Sequence, residues 1–244
     1  MIKAIRLLVL AAVLVAGLSG CSLIDYYFLP PPEDTAQELY EAGVDAMRDK
    51  NYADAAEYFV KIKDRYPFSP YTERAEIGLG DAYFLDEQYA LAADAYKEFE
   101  VLHPRHEQTP YVLYQVGLSN YRMFRSLDLR QENISEAIEY FTRVVDAYPD
   151  TEFARQAQEN ILKSRRIQCE HEVYIADFFY RTQKYGPAWN RYKFVVENFA
   201  DITDLQEYAR NRAQYAYFEY QKTLSEQERA RVHGGWLQWL KDWL

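Results

Sequence analysis

Cysteine, glycine, proline and basic residues are all scarce in this sequence of 244 residues, and each shortage excludes a class of protein. Two cysteines, Cys21 and Cys169, are too few for a disulfide-stabilised scaffold. Nine glycines and nine prolines are too few for a linker-rich or disordered chain. Lysine and arginine number 28 against 38 aspartates and glutamates, so nucleic acid is not an expected partner. The 23 tyrosines and 13 phenylalanines that are present can instead fill a sizeable folded core.

Long apolar runs are also missing, apart from one of 12 residues at Leu7–Leu18 that follows Lys3 and Arg6. This run is too short to cross a bilayer as a helix, so it predicts a signal peptide over residues 1–20. The motif Leu-Ser-Gly-Cys that ends at Cys21 resembles the bacterial lipobox. That resemblance implies acylation of Cys21, and Ser22 after it implies sorting to the outer membrane. The alternative is an ordinary signal peptide followed by a coincidental cysteine.

The resulting expectation is a protein anchored by its acyl chains in the inner leaflet of the outer membrane and facing the periplasm. Residues 21–34 would form the anchor and a stiff spacer that contains Pro30, Pro31 and Pro32. Loss of Lys3 and Arg6 with the leader would take the formal net charge from −10 to −12. Cys169 would then have no cysteine to pair with, and we expect it to be a small buried apolar side chain.

Internal repetition is the most informative feature of the chain. A glycine, an alanine and a proline recur 12 residues apart, as Gly43, Ala55, Pro67, then Gly80, Ala92, Pro104, then Gly117, Ala137, Pro149. The first two copies are 37 residues apart, and the third contains eight extra residues. A degenerate fourth copy has Ala176, Ala188 and Ala200.

The repeated segments have the apolar pattern of helices. Side chains at i, i+3, i+4 and i+7, such as Tyr52, Ala55, Ala56 and Phe59, share one helix face. The alanine is expected where two helices approach closely, and the proline where the second helix ends. Thr35 and Glu38 have the spacing of a capping box that opens the first helix, and Ser69-Pro70 and Thr109-Pro110 have the pattern of an N-cap followed by a first-turn proline.

These helix–turn–helix units resemble the tetratricopeptide repeat. The predicted fold is therefore all-α, a solenoid of about five repeats over residues 35–232, with an N-terminal half at 35–150 and a C-terminal half at 151–232. Fourteen extra residues before the fourth copy are expected to lengthen a helix and bend the array. Residues 233–244 would form an amphipathic tail with three tryptophans, which acts as a solenoid cap, a grip on a partner or a contact with a membrane interface. The cap is the preferred reading.

Catalytic and metal-binding motifs are not found in the sequence. There is no phosphate loop, no GxSxG and no HExxH, and the four histidines lack the spacing of metal ligands. We therefore expect no enzyme activity, no metal and no cofactor.

A closer family resemblance comes from residues 65–71, which read RYPFSPY. Together with the segments YVLYQVGLSN at 111–120, AYPDT at 147–151 and VYIADFFY at 173–180, this motif resembles the YfiO family of outer-membrane assembly lipoproteins. The likeness runs from about Thr35 to Ala200 and includes the lipobox.

The resemblance implies a scaffold subunit of the β-barrel assembly machinery that binds the BamA-type barrel insertase, other assembly subunits and unfolded outer-membrane protein precursors. Arg191, with Asn190 and Tyr192 beside it, is the position at which the family presents an arginine to the insertase. Tyr66, Phe68 and Tyr71 would line an aromatic groove for an extended precursor peptide, or else staple one repeat to the next.

Two departures from the family and two other functions stay open. The inserted segment from Met123 to Asn133 is shorter than in enteric members, and the tryptophan-rich tail is unlike theirs. A pilotin-type tetratricopeptide lipoprotein that guides a secretin to the outer membrane is the alternative function. A cell-wall enzyme or its activator is a third, which the missing catalytic motifs disfavour.

Overall fold

The computed structural model describes residues 34–233, and these residues form nine α-helices without a β-strand. In chain order the helices are α1 (Ala36–Arg48), α2 (Tyr52–Arg65), α3 (Thr72–Leu85), α4 (Tyr89–Leu102), α5 (Thr109–Arg122), α6 (Glu132–Ala147), α7 (Glu152–Arg181), α8 (Tyr185–Asn198) and α9 (Thr203–His233). None of the described helices has an apolar stretch long enough to cross a membrane. The lipobox, Cys21, the proline spacer and the tryptophans of the tail lie outside the described residues.

Consecutive helices pack as pairs, which makes the described part of the chain a solenoid. Hairpin 1 is α1–α2, hairpin 2 is α3–α4, hairpin 3 is α5–α6 and hairpin 4 is α7–α8, and each helix packs on the next along the array. The all-α repeat architecture is thus confirmed. The structure shows four complete hairpins, and α9 takes the place of the first helix of a fifth.

The recurrent alanines lie where the helices of a hairpin touch. Ala55, Ala92, Ala137 and Ala188 expose none of their surface, as the spacing predicted. The second helix of hairpins 1 to 3 ends two residues before its proline, because proline has no N–H to continue the helical ladder.

The recurrent glycines serve a contact that the sequence pattern did not reveal. A Cβ atom added at Gly80 would lie 2.4 Å from Cε1 of Tyr96, the aromatic side chain of the facing helix. Gly43 and Gly117 have the same relation to Phe59 and Phe141, with distances of 2.6 and 2.7 Å. Each glycine therefore makes room for one large ring at the centre of its hairpin.

Helix starts follow the predictions at Thr35 but not at Ser69 or Thr109. Thr35 Oγ1 accepts the N–H of Glu38 at 3.2 Å, and the Glu38 carboxylate accepts the N–H of Thr35 at 2.8 Å, which confirms the capping box. The N-cap predictions for Ser69 and Thr109 are wrong. Ser69 accepts the Tyr71 N–H inside a turn, so α3 begins only at Thr72, and the Thr109 hydroxyl donates to the His106 carbonyl from the first residue of α5.

The predicted lengthening in the fourth copy is a single helix of 30 residues, α7. Its first half packs against hairpin 3, and its second half pairs with α8. Cys169 lies in the middle of α7, and its side chain exposes no surface, which confirms the prediction of a buried thiol. Because α7 is about twice as long as its neighbours, α6 and α8 pack on different parts of it and leave a groove between them.

Candidate functional site

The RYPFSPY segment forms the turn between α2 and α3, and its three aromatic side chains differ in their contacts and exposure. The Tyr66 hydroxyl donates to the carbonyl of Asp34 at 2.6 Å, which ties the turn to the start of the described chain. The ring of Tyr71 packs against Tyr40 of α1, with ring centroids 5.4 Å apart. Phe68 projects from the turn with 99% of its surface exposed. Tyr66 and Tyr71 thus hold the repeats together, and Phe68 is the one of the three that is free to bind a ligand.

Hydrogen bonds fix the shape of this turn. The Tyr66 carbonyl accepts both the Thr72 hydroxyl at 2.6 Å and the Ser69 N–H at 3.0 Å. The exposed Phe68 therefore stands on a backbone whose conformation is set before any ligand arrives. Such preorganisation lowers the entropy cost of binding.

Arg191 lies on the exposed side of α8 and is aimed by a partner on α7. Its Nη1 atom is 2.6 Å from Oε2 of Glu172, whose side chain is only 16% exposed while that of Arg191 is 44% exposed. Asn190, the preceding residue, is also exposed. Arg191 keeps part of its guanidinium in solvent, where further donors can meet a carboxylate or carbonyl.

Tyr192 departs from the predicted set of partner-contacting residues. Its side chain is completely buried, and its hydroxyl donates to the carboxylate of Asp177 on α7. Burial raises the pKa of Tyr192, so the phenol stays protonated. Tyr192 therefore packs α8 onto α7 and positions its neighbours, and it has no surface in this structure with which to touch a partner.

Beside Arg191 lies a groove between α6 and α8 of about 730 Å³, which we call the acidic groove. Its described lining includes one arginine, Arg130, and is rich in carboxylates. The carboxylates and the two phenylalanines are Glu132, Glu136, Glu139, Glu172, Phe194 and Phe199. Phe194 leaves 44% of its surface exposed there. Glu172 belongs both to this groove and to the Arg191 ion pair, so the two features form one continuous surface.

Sequence reasoning missed the acidic groove. Glu132, Glu136 and Glu139 share one face of α6, a pattern that is read as a solvated helix surface. Only the packing on α7 brings that face opposite Phe194. Within residues 34–233, no group of three or more histidine, cysteine or acidic side chains is arranged to hold a metal ion.

The titratable groups in the centres of hairpins 2 and 4 serve packing. The Tyr96 hydroxyl donates to Oδ1 of Asp81 at 2.5 Å, and the Tyr111 hydroxyl donates to the same oxygen. Burial raises the pKa of Asp81. Asp177 and Tyr192 form the equivalent pair in hairpin 4.

The other two hairpins have no polar pair at these positions. Hairpin 1 carries Val44 and Phe59 there, and hairpin 3 carries Leu118 and Phe141. Among these four equivalent positions, an aspartate thus occurs only where the facing ring has a hydroxyl, which marks the pair as one structural unit.

Comparison with known proteins gives a family for this chain. The profile of the YfiO family, described as outer membrane lipoprotein, matches residues 32–232. The chain is 26% identical over 180 residues to the outer membrane protein assembly factor BamD of Vibrio cholerae, covering 70% of this chain and 75% of that protein. It is 30% identical over 193 residues to BamD of Rickettsia prowazekii (78% and 76% covered), and 25% identical over 227 residues to BamD of Caulobacter vibrioides (92% and 73% covered).

Proposed function

Since this chain belongs to the YfiO family of outer membrane lipoproteins, we propose that it is a lipid-anchored scaffold of the β-barrel assembly machinery. In this role it binds a BamA-type insertase and unfolded outer-membrane protein precursors at the periplasmic side of the outer membrane. The observation that carries the proposal is the family match, which extends over almost the whole described solenoid. Its relatives in three bacteria are named as outer membrane protein assembly factors.

The proposed contact with the insertase is the exposed surface formed by Arg191 and Asn190. Glu172 holds the Arg191 guanidinium in place through the 2.6 Å ion pair, and Tyr192 anchors this part of α8 from below. Arginine suits the role because its planar group is always charged and donates several hydrogen bonds at once. The neighbouring acidic groove would accept basic or aromatic side chains of the same partner.

The proposed contact with precursors is Phe68, on the rigid turn between α2 and α3. An aromatic side chain that is almost fully exposed on a fixed backbone can pack against apolar side chains of an extended peptide at little entropy cost. Tyr66 and Tyr71 support the turn from within. They contribute to binding by holding Phe68 in position.

The proposed anchor is a lipid on Cys21, which lies outside the described residues. We expect Cys21→Ser to leave the protein in the soluble fraction or to leave its leader uncleaved. The readout is membrane fractionation together with the mobility of the mature protein on a gel. Unchanged fractionation and mobility would contradict lipidation at this cysteine.

Arg191→Glu tests the insertase contact. We expect it to weaken binding of the solubilised insertase by about ten-fold or more, because a carboxylate replaces the donor that the partner needs. Because Glu172 is only 16% exposed, Arg191→Glu also places two carboxylates together and should lower the melting temperature. Arg191→Gln removes the charge without this repulsion, and it should weaken insertase binding with a smaller loss of stability. Arg155→Glu is the matched control, because Arg155 is an exposed, ion-paired arginine near the N-terminus of α7, far from Glu172 along that helix.

A charge swap separates recognition from folding. Glu172→Arg combined with Arg191→Glu restores an ion pair between α7 and α8 but moves the guanidinium away from α8. If the swapped protein is stable and still fails to bind, Arg191 recognises the partner. Recovery of binding in the swap would show that the ion pair is only structural.

Co-purification of a secretin in place of an insertase would favour the pilotin function.

A further inference from the structure

A second groove lies at the N-terminal end of α6. There the inserted loop after α5 folds beside the turn of hairpin 2. The turn between α3 and α4 takes three residues, whereas the connection from α5 to α6 runs over residues 123–131. The longer connection closes a groove of about 630 Å³, which we call the loop groove. Its described lining residues include Leu91, Arg122, Phe124, Arg125, Leu129 and Arg130.

The loop groove has a charge opposite to that of the whole protein. Arg122, Arg125 and Arg130 line it, and Glu87 is the one carboxylate among its described lining residues. Neither Arg122 nor Arg125 forms an ion pair with any residue of the described chain, and Arg130 pairs only with the highly exposed Glu132. In a chain of net charge −10, a groove with three arginines, two of them unpaired, and one carboxylate favours an anionic ligand.

Apolar side chains separate these arginines. Leu91 and Leu129 leave 45% and 49% of their surfaces exposed, and Phe124 lies between Arg122 and Arg125 in the chain. A ligand that covered the leucines while pairing with the arginines would need apolar and acidic groups at short intervals. An extended peptide presents both kinds of group on one face when acidic and apolar residues occur in consecutive pairs, because alternate residues share a face.

The loop is held in shape by hydrogen bonds to three of its carbonyls. The Gln131 side-chain amide donates to the carbonyls of Ser126 and Leu129, at 3.0 and 2.6 Å. The His171 Nδ1 atom of α7 lies 2.5 Å from the carbonyl of Leu127, which can only accept, so this nitrogen carries the hydrogen. The groove is therefore formed before a ligand binds, which favours affinity.

We propose that the loop groove binds an extended segment of a partner protein in which pairs of acidic residues alternate with pairs of apolar ones. The acidic side chains pair with Arg122, Arg125 and Arg130, and the apolar ones cover Leu91, Phe124 and Leu129. Arg130 also lines the acidic groove, so the two grooves adjoin. The proposed peptide contacts include neither Arg191 nor Phe68, and the inference does not depend on the insertase or on precursors.

The test is fluorescence anisotropy with the full lipidated chain in detergent and a labelled peptide of about ten residues that alternates pairs of Asp or Glu with pairs of Leu or Phe. We expect saturable binding that weakens with added salt. A peptide with lysine in place of every acidic residue should not bind. Absence of binding by the acidic peptide would overturn the proposal.

Two double variants locate the binding. Arg122→Gln with Arg125→Gln should weaken it by about ten-fold or more, because both cations leave the groove. Arg74→Gln with Arg105→Gln changes the net charge equally at exposed arginines elsewhere, neither of which is ion-paired within the described chain, and should leave the affinity within about two-fold. Equal losses in the two double variants would overturn the proposal, since binding would then follow total charge.

Two further measurements distinguish the remaining outcomes. Leu129→Ser should also weaken peptide binding, because the leucine surface no longer gains from being covered. Vesicles that contain phosphatidylglycerol, compared with vesicles of phosphatidylcholine alone, test the other source of negative charge, because the acyl chains would anchor the protein to both. If Arg122→Gln with Arg125→Gln abolished a preference for phosphatidylglycerol but left peptide binding unchanged, the groove would be a lipid headgroup site and the peptide proposal would be wrong.

Discussion

Replacing Tyr96 by phenylalanine removes one hydroxyl from the centre of hairpin 2. We expect the resulting loss in the free energy of unfolding to depend on the residue at position 81. Tyr96 is completely buried, and its hydroxyl donates to the partly buried carboxylate of Asp81 at 2.5 Å. A hydrogen bond to a charged group contributes about 1.5–3 kcal/mol to stability. Tyr96→Phe alone should therefore lower the free energy of unfolding by about that amount.

The reverse single change is costly for a different reason. Asp81→Leu leaves the Tyr96 hydroxyl buried without an acceptor, which costs about 1–3 kcal/mol. The Tyr111 hydroxyl loses the same acceptor, although its oxygen still accepts from the Gln115 amide at 2.8 Å. Combining the two changes reproduces the leucine and phenylalanine that stand at these positions in hairpin 3. The double variant should thus lose less than the sum of the singles, with a coupling of about 1–3 kcal/mol.

The assay is urea unfolding followed by far-UV circular dichroism on the wild type, both singles and the double variant. Leu118→Asp with Phe141→Tyr in hairpin 3 is the matched control, because it introduces the same polar pair into an apolar hairpin. Additivity of the singles to within about 0.5 kcal/mol would refute the view that aspartate and tyrosine act as one unit.

The stability difference between the wild type and Asp81→Leu depends on pH, and the sign of this dependence follows from the pKa of Asp81. Burial raises the pKa of Asp81 above its ordinary value of 3.8, so the folded chain binds this proton more tightly than the unfolded chain. Stability from such a group is greatest at low pH and is lost as the pH rises through the interval between the two pKa values. The stability of the wild type relative to Asp81→Leu should therefore fall as the pH increases above 3.8. A rise over this range would contradict the direction of the shift.

Other predictions concern single positions. Gly80→Ala should lower the melting temperature, because the new Cβ atom would lie 2.4 Å from the buried Tyr96 ring, and overpacking of this kind costs about 1–3 kcal/mol. Ala176→Gly, at the equivalent position of hairpin 4, should cost only the helix-propensity difference of about 1 kcal/mol, so a larger loss there than at Gly80 would contradict the packing argument. Cys169 should resist alkylation at pH 8 in the folded protein and react after unfolding, since burial raises its pKa to about 11; peptide mapping after iodoacetamide treatment would reveal any early labelling.

Much of this molecule follows from local pattern in the sequence. The spacing of Gly80, Ala92 and Pro104 and of their equivalents predicted the hairpins, because each residue type acts on its own helix or on the next helix along the chain. The long helix α7 and the burial of Cys169 were predicted for the same reason. The N-cap predictions at Ser69 and Thr109 failed because their hydroxyl groups found partners in the preceding turns.

Only the tertiary structure decided which side chains meet and which are exposed. RYPFSPY is one motif in the sequence, yet packing buries part of Tyr66 and Tyr71 and leaves Phe68 in solvent. Arg191 and Tyr192 are adjacent in the chain, but the turn of α8 puts one beside Glu172 and the other in the core. Both grooves join residues from helices far apart in sequence. Helical periodicity is a property of neighbours along the chain, whereas a binding surface depends on the contacts between helices.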